Sequence, residues 1–224
     1  MNYEWISKYA PYIYFDNNEP FFPVRVGVTV LEEAGPSPST RRTFEFEDTR
    51  IKFLIEYAIY WDYDIQHLYE LEHVWVYVGH DGEVVDCDAS FHGRHFKGLL
   101  RDRSNLVDGT HVKLYSQPGK HAFMPQADMF YLLPDLMTCT DENAGRRGLL
   151  ITGPFDGDYS TDDETNRLVE LYLKTHRFKP SMEFTEYRID PALYVTWPEL
   201  HAEVPLRIKD RLAEIRQQLG GAKR

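Results

Sequence analysis

A chain of 224 residues, 42% hydrophobic and 14% aromatic, has enough apolar material for a sizeable core, and its two cysteines exclude a disulfide scaffold. Its 36 acidic against 25 basic residues give a formal charge of -11, a surface that repels nucleic acid and anionic lipid and suits a cation, a neutral ligand or a basic partner. No apolar run reaches the ~20 residues of a membrane-spanning helix, and the opening MNYEWISKYAPYIYF has neither a basic n-region nor a small-residue cleavage site, so the expected location is cytoplasmic.

Residues 9–15 and 24–31 read as extended segments, joined by a turn over 16–23 with two prolines and two asparagines. Residues 34–42 (AGPSPSTRR) read as a surface loop. The densest strand pattern runs over 51–97, where Phe53, Ile55, Tyr57, Ile59 and Trp61 alternate with the opposite face. The runs 74–78 and 83–89 flank Gly79-His80-Asp81-Gly82, which fits a three-residue hairpin loop closed by Gly82 in the left-handed region. That register sets Val78 opposite Val84, Glu72 opposite Ser90 and Glu70 opposite His92. It predicts a core face of His73, Trp75, Tyr77, Val85, Cys87, Ala89 and Phe91, and a polar face of Glu70, Glu72, Asp88, Ser90 and His92.

Further along, 111–116 reads as a strand and 126–133 as a short helix stopped by Pro134. Thr161-Asp162-Asp163-Glu164 is a capping-box pattern with Thr161 as the cap, opening a helix to about His176. Leu206, Ile208, Leu212, Ile215 and Leu219 give a C-terminal helix over 205–219, and Lys223 and Arg224 a solvated tail. The expected fold is mainly β: one domain over 1–224, a β-sandwich with peripheral α-helices including the C-terminal one.

The chemistry concentrates in 60–78, YWDYDIQHLYELEHVWVYV. Asp62, Asp64, His67, Glu70, Glu72 and His73 fall within twelve residues, and carboxylates this dense repel one another unless a cation lies among them. Imidazole with carboxylate matches mixed nitrogen and oxygen shells around a divalent metal such as zinc or manganese. In a strand, Glu70 and Glu72 share one face with Val74, Val76 and Val78. The bland alternative is an exposed acidic strand face whose histidines only hydrogen-bond. Ser90 with His92 suggests a nucleophile and base, but no oxyanion hole accompanies them. Asp156-x-Asp158-x-Ser160 begins like a calcium loop, yet Thr161 and Arg167 stand where that loop needs Gly and Glu.

These residues carry a distant resemblance. His67-x-x-Glu70-x-Glu72 resembles the G-H-R-H-D-W-E heptapeptide of necrosis- and ethylene-inducing-like proteins, and Glu72-His73-Val74 is similar to the D-W-E-H segment of the related vacuolar-protein-sorting-like domains. Tyr9-Ala10-Pro11 with Tyr14 and Pro23 is similar to the opening of the latter, Ala89-Ser90-Phe91-His92-Gly93-Arg94 to their A-S-x-H-G segment, and Gly119-Lys120-His121-Ala122 to their G-x-H-A segment. The resemblance covers roughly the first 125 residues. It implies a β-sandwich whose acidic face holds one divalent ion (zinc, manganese, magnesium or calcium). The ligand roles fall on Asp62 or Asp64, His67, Glu70 and Glu72, with His92 and His121 against the ion or just behind it. The Gly, Arg, second His and Trp of the heptapeptide are absent and its Asp is Glu70, so the secreted cytolytic activity of that family is not carried over. The expected role is divalent-metal binding, with metal-dependent hydrolysis as one use of the ion. The alternatives are a non-catalytic, metal-dependent module for a small-molecule, sugar-like or head-group ligand, and a purely structural metal site.

Overall fold

The computed structural model describes residues 4–221; Lys223 and Arg224 lie outside them. In chain order the elements are α1 (Glu4–Ser7), β1 (Tyr12–Asp16), β2 (Arg25–Leu31), β3 (Gly35–Pro36), β4 (Thr43–Phe44), β5 (Ile51–Tyr63), β6 (His67–Gly79), β7 (Val84–Phe91), β8 (Arg94–Lys97), β9 (Leu106–Val107), β10 (His111–Ser116), β11 (Phe123–Met124), β12 (Gly148–Leu149), α2 (Asp163–Leu173), β13 (Phe184–Arg188), β14 (Tyr194–Thr196) and α3 (Trp197–Gly221). The large sheet runs β14-β2-β5-β6-β7-β8, with β12 added on β6, and the small sheet runs β11-β10-β1-β13, with β9 on β10. Ile13 and Phe15 of β1 and Val112 and Leu114 of β10 share one apolar cluster with Ile55, Tyr57, Ile59, Val74 and Val76 of the large sheet. The fold is mainly β, with the expected C-terminal helix.

The outer face of the large sheet is covered as well. Helix α3 lies over β2, where a Cβ on Gly27 would stand 2.9 Å from Leu200 Cδ2, so only glycine lets the helix this close. Helix α3 begins eight residues before the expected Pro205, because Thr196 and Glu199 form a capping box. The Thr196 N–H donates to Glu199 Oε2 at 2.8 Å and the Glu199 N–H to Thr196 Oγ1 at 3.4 Å. In α2 the cap is Asp162, whose side chain accepts the Thr165 N–H at 2.7 Å, rather than Thr161, which donates to Asn166. Farther along the outer face, the β3–β4 arm brings Phe44 onto Leu54, Trp75 and Tyr77.

The hairpin after β6 forms as its sequence predicts. The Gly79 N–H donates to Glu83 O at 2.8 Å, and Gly82 takes φ +82°. Val78 meets Val84, but a bulge then shifts the register by one, so that Tyr77 meets Asp86 and Val74 meets Ala89. Ser90 therefore lies beside His73, not opposite Glu72. On β6 the core face is the reverse of the expected one: Val74, Val76 and Val78 join the main core, and His73, Trp75 and Tyr77 turn outward beneath the arm, whereas on β7 Cys87 and Ala89 join the main core as expected. With both faces of the sheet covered, apolar content does not reveal which face meets the second sheet.

Candidate functional site

The site grows from a break in strand pairing. β7 pairs with β6 only as far as Val74↔Ala89, and β12 rejoins β6 at His67 and Leu68. The edge between them turns to side chains for acceptors. The His73 N–H donates to Ser90 Oγ at 2.6 Å and the Leu71 N–H to Glu70 Oε1 at 2.9 Å. Over this gap opens a cleft of about 1160 Å³, walled by residues 38–42 of the arm, 92–95, 152–154 and the first turn of α3. Tyr69 and His92 in its lining hold positive φ (54° and 50°), a region that costs about 1–3 kcal/mol for residues other than glycine and gathers at functional sites.

At the floor, Asp64, His67 and Glu70 place ligand-type atoms within 4.8 Å of one another. The alternation of β6 brings Glu72 to the same face as Glu70. The His67 Nδ1 lies 2.7 Å from Tyr69 O, so Nδ1–H donates there and Nε2 is left with its lone pair, facing Glu70 Oε2 at 3.5 Å, Asp64 Oδ1 at 3.6 Å and the Lys120 ammonium at 3.5 Å. Burial pushes the His67 imidazole down to about 3, so it is neutral. A lone pair facing a carboxylate oxygen calls for a proton or a cation between them. Lys120, absent from the expected ligand set, places its ammonium 2.6 and 2.7 Å from the two Asp64 oxygens. Burial opposes the Asp64 charge, but the Lys120 ammonium outweighs it and holds that carboxyl below the ordinary carboxylate range. Glu70 is pushed well above the ordinary carboxylate range by burial and by Glu72 and Asp64. Glu72 is raised from 4.5 to about 7 by burial, although it accepts hydrogen bonds from Ser90 Oγ and the His92 N–H.

Asp64, Glu70 and Glu72 therefore face one ammonium. Fully ionised, the group carries two uncompensated negative charges, which a divalent ion cancels. The donor chemistry fits such an ion: carboxylate oxygens and one neutral, carbonyl-tethered imidazole nitrogen. The 3.5 and 3.6 Å spacings also fit, since donors ~2.1 Å from a tetrahedrally held divalent ion such as zinc lie about 3.4 Å apart.

The remaining candidates lie elsewhere. Asp62 alternates onto the outer face, where Arg207 Nε and Nη2 clamp its two oxygens at 2.8 and 2.9 Å. His121 is fully buried, stacked on Trp61 at 4.7 Å with its Nε2 3.2 Å from Glu19 Oε1, and it holds the loop that presents Lys120. His92 borders the cleft with its Nε2 2.8 Å from Gln117 Oε1. Ser90 donates to Glu72 and His92 engages Gln117, so the two do not form a nucleophile–base pair. Lys120 is the functional residue that sequence reasoning missed; a lysine between Gly119 and His121 was the signal. Asp62→Asn is expected to leave ion binding unchanged while lowering stability by about 1–3 kcal/mol through the weakened clamp, as read by urea unfolding beside ion titration.

The titrations also predict a pH effect. With folded values above their unfolded ones, Glu70 and Glu72 add stability below about 4.5 that is lost as pH rises through about 7 and beyond. His67 and His73, lowered by burial to about 3 and about 4, act oppositely, with their contribution fully present above 6.5. Between pH 6.5 and about 8, below the range of the buried cysteines and tyrosines, the glutamates dominate the change. In chelator, stability is expected to fall over that range, and saturating divalent ion to abolish the fall; thermal melts at stepped pH test this.

No protein-family model matches the chain, and no curated protein matches it. Among solved structures the chain is similar to NLPPya in complex with glucosamine, at 18% identity and a TM-score of 0.36, over 54% of this chain and 64% of that one. NLPPya in complex with mannosamine (18% identity, TM-score 0.35) covers the same shares. A mutant form of NLPPya matches at 19% identity and a TM-score of 0.33, over 53% of this chain and 64% of that one. The aligned part spans under two thirds of each neighbour. Superpositions this loose establish neither a common ligand nor a common activity, and the vacuolar-sorting-like part of the resemblance has no counterpart among the three.

Proposed function

We propose that the chain is a metal-dependent binding module for a hydroxyl-rich, sugar-like ligand. His67, Glu70 and Glu72 would hold the ion, with Asp64 and Lys120 completing the charge balance behind them. The carrying observation is the His67 Nε2 lone pair set 3.5 Å from Glu70 at the floor of an open cleft, inside a group whose carboxylates outnumber its cations. A bound divalent ion supplies Lewis acidity toward ligand oxygens. The chain supplies a cleft lining in which Thr40, His95 and Thr152 offer polar groups to ligand hydroxyls, beside the nearly buried Tyr69, Trp75 and Trp197.

A metal-assisted hydrolysis is the second reading, favoured by the burial of Glu72, which pushes its carboxyl up to about 7, where a general base works best. One experiment separates them. Calorimetric titration with neutral monosaccharides and glycosides, in manganese and in chelator, is expected to give binding in manganese, none in chelator and no released product. Binding indifferent to chelator contradicts the proposal. Product formation that Glu72→Gln abolishes replaces it with the hydrolase.

A further inference from the structure

Residues 38–42, in the tip of the β3–β4 arm, wall one side of the cleft. The two arm strands pair only with each other, and among the described residues no backbone hydrogen bond ties 35–44 to the large sheet. Phe44, 2% exposed, anchors the base of the arm in its apolar cluster, but no side chain of 37–42 joins such a cluster. Polar groups hold the tip instead. Ser37 Oγ and Ser39 Oγ donate to Glu56 Oε1 at 2.7 and 2.6 Å. Arg42 Nη2 donates to Asp88 Oδ2 at 2.7 Å, and its guanidinium lies 4.2 Å above the Trp75 ring. A segment with few buried apolar contacts is the kind that opens locally, without global unfolding.

The surface beneath the closed tip is poorly matched to it. Glu56, 1% exposed, pairs with Trp75 across β5 and β6, and His73, 6% exposed, lies two residues along. Glu56 Oε1 accepts the Trp75 Nε1–H at 3.0 Å, and His73 stacks beside that ring at 5.4 Å. Glu56 Oε2, His73 Nε2 and Arg42 Nη1 are all buried, and none has a hydrogen-bond partner in the protein. Each costs the free energy of an unmade bond while the tip is down and recovers it from water when the tip lifts. We infer that residues 37–42 are a lid, pivoting on the Phe44 anchor, that rises to open the part of the cleft over His73 and Trp75. The lid is independent of what the ion corner binds, because Glu70 and Glu72 lie on the opposite face of β6.

Hydrogen exchange of the Trp75 indole N–H, followed by NMR in the full chain, reads the lid, because that proton lies beneath the tip on Glu56. The Val76 backbone N–H, in the middle of the sheet, reads global unfolding. The Trp75 proton is expected to exchange through an opening about tenfold or more as populated as the one that frees Val76, and to respond little to low urea, since lifting the tip exposes little surface. Ser37→Ala/Ser39→Ala removes two bonds to a carboxylate and is expected to speed Trp75 exchange by about tenfold or more. His73→Phe keeps a ring beside Trp75 and removes the unmet nitrogen of an imidazole that burial lowers to about 4 and so keeps neutral; it is expected to slow the exchange by about tenfold. A Trp75 proton that exchanges together with the Val76 amide, with the same urea dependence, overturns the lid. Exchange that neither variant shifts overturns it as well. Where His73→Phe does not fold, the serine variant, altered in the tip alone, decides.

Discussion

Glu72→Gln and His67→Ala are each expected to lower divalent-ion affinity by roughly 100-fold or more, because even a group behind a metal ligand commonly contributes 10–100-fold. The two variants differ in a second respect. Glu72→Gln keeps the side-chain shape and the carbonyl that accepts from Ser90, and it removes the charge that raises Glu70. In chelator its stability is expected to equal or exceed that of the unaltered chain. His67→Ala opens a cavity and frees the Tyr69 carbonyl, so it loses both ion and stability. Elemental analysis and calorimetric titration read the ion, and urea unfolding in chelator reads the stability.

Lys120→Met is the second large effect. Asp64 is wholly buried and both its oxygens rest on the Lys120 ammonium, so the substitution strands a buried carboxylate at a cost of about 3–5 kcal/mol. The group then holds three carboxylates and no internal cation. Divalent ion is expected to stabilise Lys120→Met more than the unaltered chain, since it takes over the role of the ammonium. Adding Asp64→Asn recovers most of the loss without ion, because the amide has no charge to strand. Urea unfolding midpoints with and without manganese, across the four combinations of these two positions, measure the coupling.

Much of this site was legible because it is local. Strand alternation fixed the shared face of Glu70 and Glu72, and Gly82 marked the hairpin. What lay beyond was non-local or irregular. The bulge at Tyr77–Val78 has no distinct residue signature, and it moved Ser90 from Glu72 to His73. The aromatic face of His73, Trp75 and Tyr77 resembled a core because Phe44 and Arg42 of the arm cover it, which depends on tertiary packing. Lys120 meets Asp64 across 56 positions, a contact no spacing rule reveals. Two details were readable and went unread. The alternation that set Trp61 against Glu70 already sent Asp62 to the other face, and Thr196-Trp197-Pro198-Glu199 announced the start of α3.

The most direct test of the account is anomalous diffraction from crystals grown with manganese, which substitutes readily for other divalent ions at oxygen-rich sites. The account predicts one strong peak within bonding distance of His67 Nε2 and of Glu70 and Glu72 oxygens, with Lys120 still on Asp64. A lattice of the intact chain showing no peak there, while Glu70 and Glu72 sit protonated against each other or turned into solvent, contradicts it.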